Sequence, residues 1–129
     1  MKFLVDTDYL FGIAVSDDPH HEQAKRIADR VRADSLYITN VVYYEIATVL
    51  SYKANQQVAK EFIQKVKNGV ISIVRVEGVL EEKAWDVFMK QTKKGISFVD
   101  CANLAVIEYY NLDGILSFDG FYPARLGKT

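Results

Sequence analysis

The strongest constraint on the fold is a regular alternation between short apolar runs and longer segments with helical spacing. The strand-like runs lie at residues 2–5, 36–38, 70–76 and 114–118, and helical segments separate them. Strands that are separated by helices of this length pair in parallel through right-handed crossovers. The alternation therefore predicts an α/β protein with a parallel sheet.

Six helical segments are expected between and beyond these strands, the first of them a short helix or turn. They cover residues 9–15, 20–31, 40–54, 58–67, 80–92 and 100–110. Thr39 or Asn40 is expected to cap the third helix, and the run 93–95 (Lys-Lys-Gly) is expected to end the fifth. Asp100 is expected to open the sixth.

Length and composition place the chain among single-domain globular proteins. The 129 residues show no linker and no internal repeat, so one domain over residues 1–129 is expected. The net charge of −1 weighs against a constitutive nucleic-acid binder, which usually carries a basic excess. It does not exclude one, because bound cations would change the field near acidic residues.

Cysteine usage and hydropathy give further expectations. The single cysteine, Cys101, excludes an intramolecular disulfide framework, and its apolar surroundings favour a buried, inert thiol. No apolar run approaches the length of a membrane span, and the N-terminal pattern is not that of a signal peptide. We therefore expect a cytoplasmic protein with no membrane association.

Four acidic residues stand at or near the end of hydrophobic runs: Asp6, Glu45, Asp100 and Asp119. In open α/β sheets the ligand crevice lies beyond the carboxyl ends of the strands. Asp6 and Asp119 both follow predicted strands, so their carboxylates converge if the first and fourth strands are neighbours. Asp100, at a helix start facing the same edge, can join them.

Each of these acids also has an ordinary structural explanation. Asp6 could cap a short helix, Asp100 could cap the sixth helix, and Asp119 precedes a glycine as in many turns. Glu45 could be a solvated helix position. Glu45 is nevertheless the hardest to explain in this way, because its apolar neighbours leave little solvent-facing arc. An isolated charge there would cost on the order of several kcal/mol.

Several carboxylates in one cleft repel each other unless protons or cations compensate. Ligand sets made only of oxygen favour the hard cations Mg²⁺ or Mn²⁺ over zinc. No histidine–cysteine cluster competes, since His20 and His21 near a helix start are expected to be solvated surface residues. Such a cleft suits phosphodiester hydrolysis with one ion activating water, or with a second ion about 3.5–4 Å away stabilising the leaving oxygen.

Four stretches of the sequence together resemble the PIN-domain ribonucleases, and most closely the VapC-type toxins of toxin–antitoxin pairs. They are residues 3–8, 40–45, 96–100 and 116–121. The resemblance covers essentially the whole chain in the family's order and spacing. It implies a three-layer α/β/α PIN-like fold with a central parallel sheet of four to five strands.

Carried over by position, the resemblance also implies the site residues. The family's acidic catalytic and metal-binding set corresponds to Asp6, Glu45, Asp100 and Asp119. Thr7 and Ser97 match hydroxyl positions beside the first and third acids. Asp8 stands where the family often has another small polar residue, and Asn103, one helical turn after Asp100, is placed to face the same cleft.

The resemblance implies Mg²⁺- or Mn²⁺-dependent endonucleolytic cleavage of single-stranded or structured RNA. It also implies a homodimer and an antitoxin partner whose tail occupies the active-site cleft. Three alternatives stay open at this stage. They are an RNA-processing nuclease of the same fold without an antitoxin, a catalytically silent RNA-binding or scaffold module, and a phosphoacceptor receiver domain.

The end of the sequence departs from the family pattern, which usually has a further strand after the fourth acidic residue. We expect that last edge strand to be absent, very short or supplied otherwise. The candidates for steering RNA, for which solvated surface charge is the favoured alternative, are Lys93, Lys94, Arg125 and Lys128. The candidates for stacking on bases are Tyr9, Phe11 and Tyr122, with core packing favoured for Phe11.

Overall fold

The computed structural model describes residues 1–123 and 126, and within that part the chain forms four strands and six helices. In chain order they are β1 (Lys2–Val5), α1 (Thr7–Ala14), α2 (His21–Arg30), β2 (Ser35–Thr39), α3 (Asn40–Lys53), α4 (Gln56–Lys67), β3 (Ser72–Val74), α5 (Val79–Met89), α6 (Phe98–Tyr110) and β4 (Gly114–Leu116). Every strand and helix that the sequence predicts is present, in the predicted order.

The sheet is parallel throughout, with the strand order β3-β2-β1-β4. The first strand therefore lies between the second and the fourth, and Val5 stands in register with Leu116. This pairing is the one that the convergence of Asp6 and Asp119 requires. The described part of the chain contains four strands, the lower end of the expected four to five.

The strand order also decides against the receiver-domain alternative. Doubly wound folds of the receiver type have the order 2-1-3-4-5, with the third strand beside the first. Here β3 is an edge strand that pairs with β2 alone among the described residues. The receiver hypothesis is therefore wrong for this chain.

Side chains that alternate along β1 enter two separate hydrophobic cores, one on each face of the sheet. Phe3 and Val5 pack into a cluster with buried residues of α1, α2, α3 and α4. Leu4 packs on the opposite face with buried residues of α5 and α6. Since a strand has a period of two, the sheet is covered by helices on both sides, which confirms the three-layer architecture.

Two helix caps place the elements that lead to the cleft described below. The fully buried Thr39 accepts a hydrogen bond at its hydroxyl from Val42 N (3.1 Å), so α3 begins directly where β2 ends. Asn55 caps α4 in the same way through Val58 N. The cap predicted at Thr39 or Asn40 is thus Thr39.

Three elements are shorter in the structure than the sequence predicts. The third strand covers only Ser72–Val74, because β2 ends at Thr39 and offers no partner further along. The fourth strand ends at Leu116 instead of residue 118. The fifth helix ends at Met89, before the predicted lysine–glycine stop, because the Gln91 side chain and Lys90 N both bond to the Val87 carbonyl.

Two expectations from composition can be compared with the structure. Cys101 is fully buried in α6, and burial raises the pKa of its thiol, as expected for an inert cysteine. Among the described residues, no helix is both long and apolar enough to cross a bilayer.

Gly114 lies where the backbone of Leu126 packs closely against β4. A Cβ atom at this position would lie 2.5 Å from the Leu126 carbonyl oxygen, which is backbone and cannot rotate away. We expect Gly114→Ala to lower the free energy of unfolding by about 1–3 kcal/mol in urea denaturation. Gly120→Ala, where nothing lies within 4 Å, is the matched control and should change it by less than about 0.5 kcal/mol. Equal stabilities of the two variants would contradict this packing.

Candidate active site

The candidate site begins where the β1–β4 ladder ends. Asp6 N donates to the Leu116 carbonyl (3.1 Å), which extends the pairing one residue beyond the strands. The next residue after β4 is Ser117, and its hydroxyl donates to Asp6 Oδ2 at 2.8 Å. The carboxyl edge of the sheet therefore fixes the first acid through the neighbouring strand.

Asp6 has two roles at this edge. Its side chain accepts from Thr7 N (2.9 Å) and caps α1, so the ordinary capping explanation is correct. At the same time the residue is only 5% exposed and faces the other acids. Capping uses Oδ1 as an acceptor and does not remove the charge, so the two explanations are compatible.

Asp100 is held by the start of α6. Ser97 is the N-cap, and the two residues form a reciprocal capping box: Ser97 N donates to Asp100 Oδ2 (3.2 Å) and Asp100 N donates to the Ser97 hydroxyl (3.1 Å). The prediction that Asp100 opens the helix is therefore wrong by three residues, because Ser97 supplies the cap. Fixing Oδ2 leaves Oδ1 directed at the other side chains of the site.

Asp119 completes a group of three carboxylates. One oxygen each from Asp6, Asp100 and Asp119 lie within 4.8 Å of one another. Asp119 is exposed and stands three residues beyond β4, where its amide donates to Ser117 Oγ (3.0 Å). Its own Oδ1 accepts from Phe121 N (2.9 Å), so a local turn orients it. Three of the four predicted acids thus converge.

Glu45 lies on the same cleft but outside this group of three. It accepts a hydrogen bond from the Thr7 hydroxyl at Oε1, which joins α3 to the start of α1. Its burial is only partial, and the preceding Tyr44 is 55% exposed. The expectation that the apolar neighbours of Glu45 leave it little solvent-facing arc is therefore wrong in degree, because α3 buries only one face at this point.

Asp8 has a structural role in the cleft. Its carboxylate accepts from Phe118 N (3.1 Å), and its Oδ1 lies 3.3 Å from the Ser117 hydroxyl oxygen. Both of these residues belong to the segment that follows β4 and leads to Asp119. Asp8, which follows Thr7 in α1, therefore anchors the segment after β4 on the first helix.

Asn103 and Tyr122 form a buried network behind the acids. The Asn103 side chain donates to Asp6 Oδ1 (3.2 Å) and to the Tyr122 hydroxyl (2.9 Å). The Tyr122 hydroxyl lies 3.4 Å from Asp6 Oδ2 and 3.3 Å from Asp100 Oδ1, within reach of both carboxylates. Asn103 Oδ1 is buried and has no hydrogen-bond partner among the described residues.

Two of the three predicted base-stacking residues are not available for stacking. Tyr122 is 7% exposed because its side chain packs into the core on the α5–α6 face, with its hydroxyl against the acids. Tyr9 is 3% exposed because it packs into the core on the opposite face. Phe11 packs partly against the core, as favoured, and also lines the cleft. Those assignments for Tyr9 and Tyr122 are wrong.

The positive groups near the cleft differ from those expected. Lys93 borders a neighbouring depression that shares Asp119 with the cleft, and Lys94 is exposed. Arg125 and Lys128 lie outside the described residues. Lys53, near the end of α3, lines the cleft itself, although its position in the sequence gave no sign of this.

The two histidines are not equivalent solvated residues. His20 is exposed, as expected, but it lines the cleft and stacks on the Phe118 ring. His21 is partly buried, with Nδ1 2.7 Å from the Gly12 carbonyl oxygen. The surface assignment is therefore wrong for His21, because α1 and α2 pack together through this contact.

Burial and mutual repulsion raise the pKa of the central acids. The pKa of Asp6 rises to about 7, first through burial, then through the charges of Asp8 and Asp100, against opposing hydrogen bonds from Ser117 and Thr7. Burial is also the main cause of the raised pKa of Asp8 and of Asp100. The site therefore favours either a bound proton or a compensating cation.

The cleft has a volume of about 440 Å³. Six carboxylates line it: Asp6, Asp8, Asp18, Glu45, Asp100 and Asp119. The ligand atoms of the group of three are all oxygens, which suits a hard divalent cation better than zinc. The chemistry that such a donor set supports best is metal-assisted hydrolysis.

The sequence model of the PIN domain matches residues 3–122, so the chain belongs to the PIN-domain family. It is 32% identical over 124 residues to a VapC ribonuclease of Archaeoglobus fulgidus, covering 92% of this chain and 78% of that protein. It is 26% identical over 120 residues to the 23S rRNA-specific endonuclease VapC20 of Mycobacterium tuberculosis, covering 93% and 91%.

Solved structures of related fold agree with the architecture. The crystal structure of Mycobacterium tuberculosis VapC20, a sarcin-ricin loop cleaving toxin, superposes with a TM-score of 0.81 at 24% identity, covering 92% of this chain and 91% of that one. VapBC2 from Rickettsia felis, bound to a DNA fragment from its promoter, gives a TM-score of 0.69 at 10% identity, covering 92% and 88%. These similarities confirm the predicted PIN-like fold.

The raised pKa of Asp6 predicts a pH dependence of stability in the absence of divalent metal. Well below pH 3.8, the ordinary pKa of an aspartate, the carboxyl is protonated in both states and costs nothing. As pH rises towards 7, the unfolded chain ionises while the folded chain keeps the proton, so stability is lost. The full loss is up to about 4 kcal/mol above pH 7.

Urea denaturation in EDTA between pH 4.5 and 8 measures this loss. Asp6→Asn should flatten most of the profile, because the amide carries no titrating charge. Asp86→Asn, an exposed α5 residue, is the control and should leave the profile unchanged. A wild-type stability that stays constant or increases over this range would contradict the assignment of electrostatic strain to Asp6.

Proposed function

We propose that this protein is a Mg²⁺- or Mn²⁺-dependent endoribonuclease that acts as the toxin of a VapBC-type toxin–antitoxin pair. The observation that carries the proposal is the convergence of the Asp6, Asp100 and Asp119 carboxylates in a chain of the PIN-domain family. The similarity to a VapC ribonuclease and to a 23S rRNA-specific endonuclease supports RNA as the substrate.

The residues of the site fit a hard divalent cation. Three carboxylate oxygens lie close enough together to share one ion, and burial, with added repulsion from neighbouring carboxylates, raises the pKa of Asp6 and Asp100. No histidine or cysteine belongs to this group of described residues. When bound, such an ion supplies a Lewis acid that lowers the pKa of water and offsets the charge of a phosphate group.

The protein's own side chains prepare this site in advance. Ser117 and Asn103 hold Asp6 from two directions, while the capping box with Ser97 holds Asp100. Glu45 is oriented by the Thr7 hydroxyl through Oε1, which leaves its second oxygen for an ion or for the proton of an attacking water. We assign catalysis and metal binding to Asp6, Glu45, Asp100 and Asp119, with Thr7, Asp8, Ser97 and Asn103 in support.

The proposal extends to partners and context. The similarity to a VapBC2 complex and to VapC proteins supports a cognate antitoxin that covers the cleft. A homodimer, a cytoplasmic location and a single domain over residues 1–129 complete the proposal. A small DNA-binding protein encoded next to this chain, co-purifying with it and suppressing its activity, would support the toxin over an RNA-processing nuclease without an antitoxin.

A catalytically silent RNA-binding module is less favoured by the electrostatics. Clustered carboxylates with raised pKa values destabilise the folded protein near neutral pH, and they repel the phosphates of RNA. A module that only bound RNA would gain nothing from them. With a divalent cation held by Asp6, Asp100 and Asp119, the same cluster could accept a phosphate group.

Substitution of Asp100 tests the proposed activity. Purified protein with Mg²⁺ or Mn²⁺ should cut total RNA, and EDTA should stop the reaction. Asp100→Asn should lower the cleavage rate by at least about 100-fold, since even outer partners of metal ligands typically contribute 10–100-fold. Gel analysis of RNA fragments measures the rates, and circular dichroism checks that the variant is folded.

Asp86→Asn removes an exposed carboxylate of α5, outside the cleft, and should cut as fast as wild type. Equal cleavage by wild type and Asp100→Asn would exclude the proposed mechanism. Cleavage that persists in EDTA would exclude the metal requirement instead.

A further inference from the structure

Two side chains that can carry a positive charge line the acidic cleft among the described residues. They are Lys53 and His20, and they share the cleft with six carboxylates. Lys53 makes no ion pair with any carboxylate in the part of the chain that the structure describes, although acids surround the cleft. An ammonium group in such a place is available to an anion brought in from outside.

The position of Lys53 is set by an aromatic contact. Its Nζ lies 5.8 Å from the centre of the Phe11 ring, within the range of a cation–π interaction. Phe11 is itself partly buried against the core, so it gives the flexible lysine a fixed support on the cleft wall. The contact holds the charge at the cleft without neutralising it.

His20 forms the outer half of a parallel ring pair. Its ring centre lies 4.3 Å from that of Phe118, and the two planes differ by 10°. Phe118 packs partly against the core, whereas the His20 side chain is 50% exposed, so the open face of the pair belongs to His20. The Asp18 carboxylate accepts a hydrogen bond from His20 N (3.0 Å) and lies 3.8 Å from Nδ1 at the edge of the ring.

We propose that these residues form a nucleotide subsite of the cleft, in which a nucleobase stacks on His20 and a phosphate of the same strand contacts Lys53. The inference rests on the proposed function and specifies its substrate as single-stranded RNA at this point. An aromatic platform beside a cation is how proteins hold unpaired strands, because every base has a face that can stack. A base in a duplex has no free face to offer.

The test is equilibrium binding to a short, fluorescein-labelled single-stranded RNA of mixed sequence, followed by anisotropy. The Asp100→Asn background with Mg²⁺ present prevents cleavage during the titration. In this background His20→Ala should weaken binding about tenfold, whereas His20→Phe should restore it, because phenylalanine keeps the stacking face. Lys53→Gln should weaken binding, and Lys53→Arg should restore it.

The salt dependence separates the two roles. Each phosphate contact with a single strand contributes about 0.7 to the slope of log K against log salt concentration. Lys53→Gln should lower that slope by about this amount, whereas His20→Ala should leave it unchanged. Lys60→Gln, an exposed lysine of α4 that lines no part of the cleft, is the charge-matched control and should bind as the background does.

The subsite would be overturned if His20→Ala and Lys53→Gln bound the RNA as tightly as the Asp100→Asn background does. The proposed function would still stand in that case if the wild-type protein cut RNA. Equal loss in His20→Ala and His20→Phe would overturn stacking as the role of His20. Failure of wild type to cut RNA with either metal would instead overturn the proposed function, and the subsite with it.

Discussion

The parallel pairing of β1 with β4 is the contact on which the rest of the site depends. It places Asp6 beside Ser117 at the carboxyl edge of the sheet, and it starts the segment that carries Asp119. The capping box of α6 then brings Asp100 to the same edge. A strand order that separated β1 from β4 would keep every acid in the sequence and would lose the cluster.

The cluster is held together against its own repulsion. Ser117, Asn103 and Tyr122 hydrogen-bond to the central carboxylates, yet the pKa of Asp6 still rises to about 7. Burying several carboxylates close together lowers the free energy of unfolding near neutral pH, even when buried hydrogen bonds hold them. Such an arrangement is typical of functional sites, where a bound ligand recovers the lost stability.

Much of the fold could be predicted because it depends on local patterns. The spacing of apolar residues predicts the strands and helices. The order of these elements along the chain predicts a parallel sheet with Asp6 and Asp119 at one edge. The cap at Thr39 followed from residue type. The ends of β3 and β4 did not follow, since a strand ends where its partner ends, and that depends on pairing that no local pattern reveals.

The missed site residues have a common cause. The sequence predicts Ser117 in a strand, Tyr122 as a base-stacking residue and His20 on the surface, because the roles these residues have in the structure depend on which segments meet in space. Tyr122 reaches the acids only because the segment after Asp119 folds back behind them. His20 reaches the cleft only because the loop between α1 and α2 lies against Phe118. No spacing in the sequence marks these contacts.

A divalent cation held by Asp6, Asp100 and Asp119 is expected to relieve the repulsion between these carboxylates. Calorimetric titration of the protein with Mn²⁺ near pH 6, repeated in buffers of different ionisation enthalpy, measures the protons released on binding. With the Asp6 pKa at about 7, binding should release close to one proton per site, and Asp6→Asn should release markedly less. Absence of Mn²⁺ binding, or binding without proton release, would show that these carboxylates do not exchange a proton for a cation.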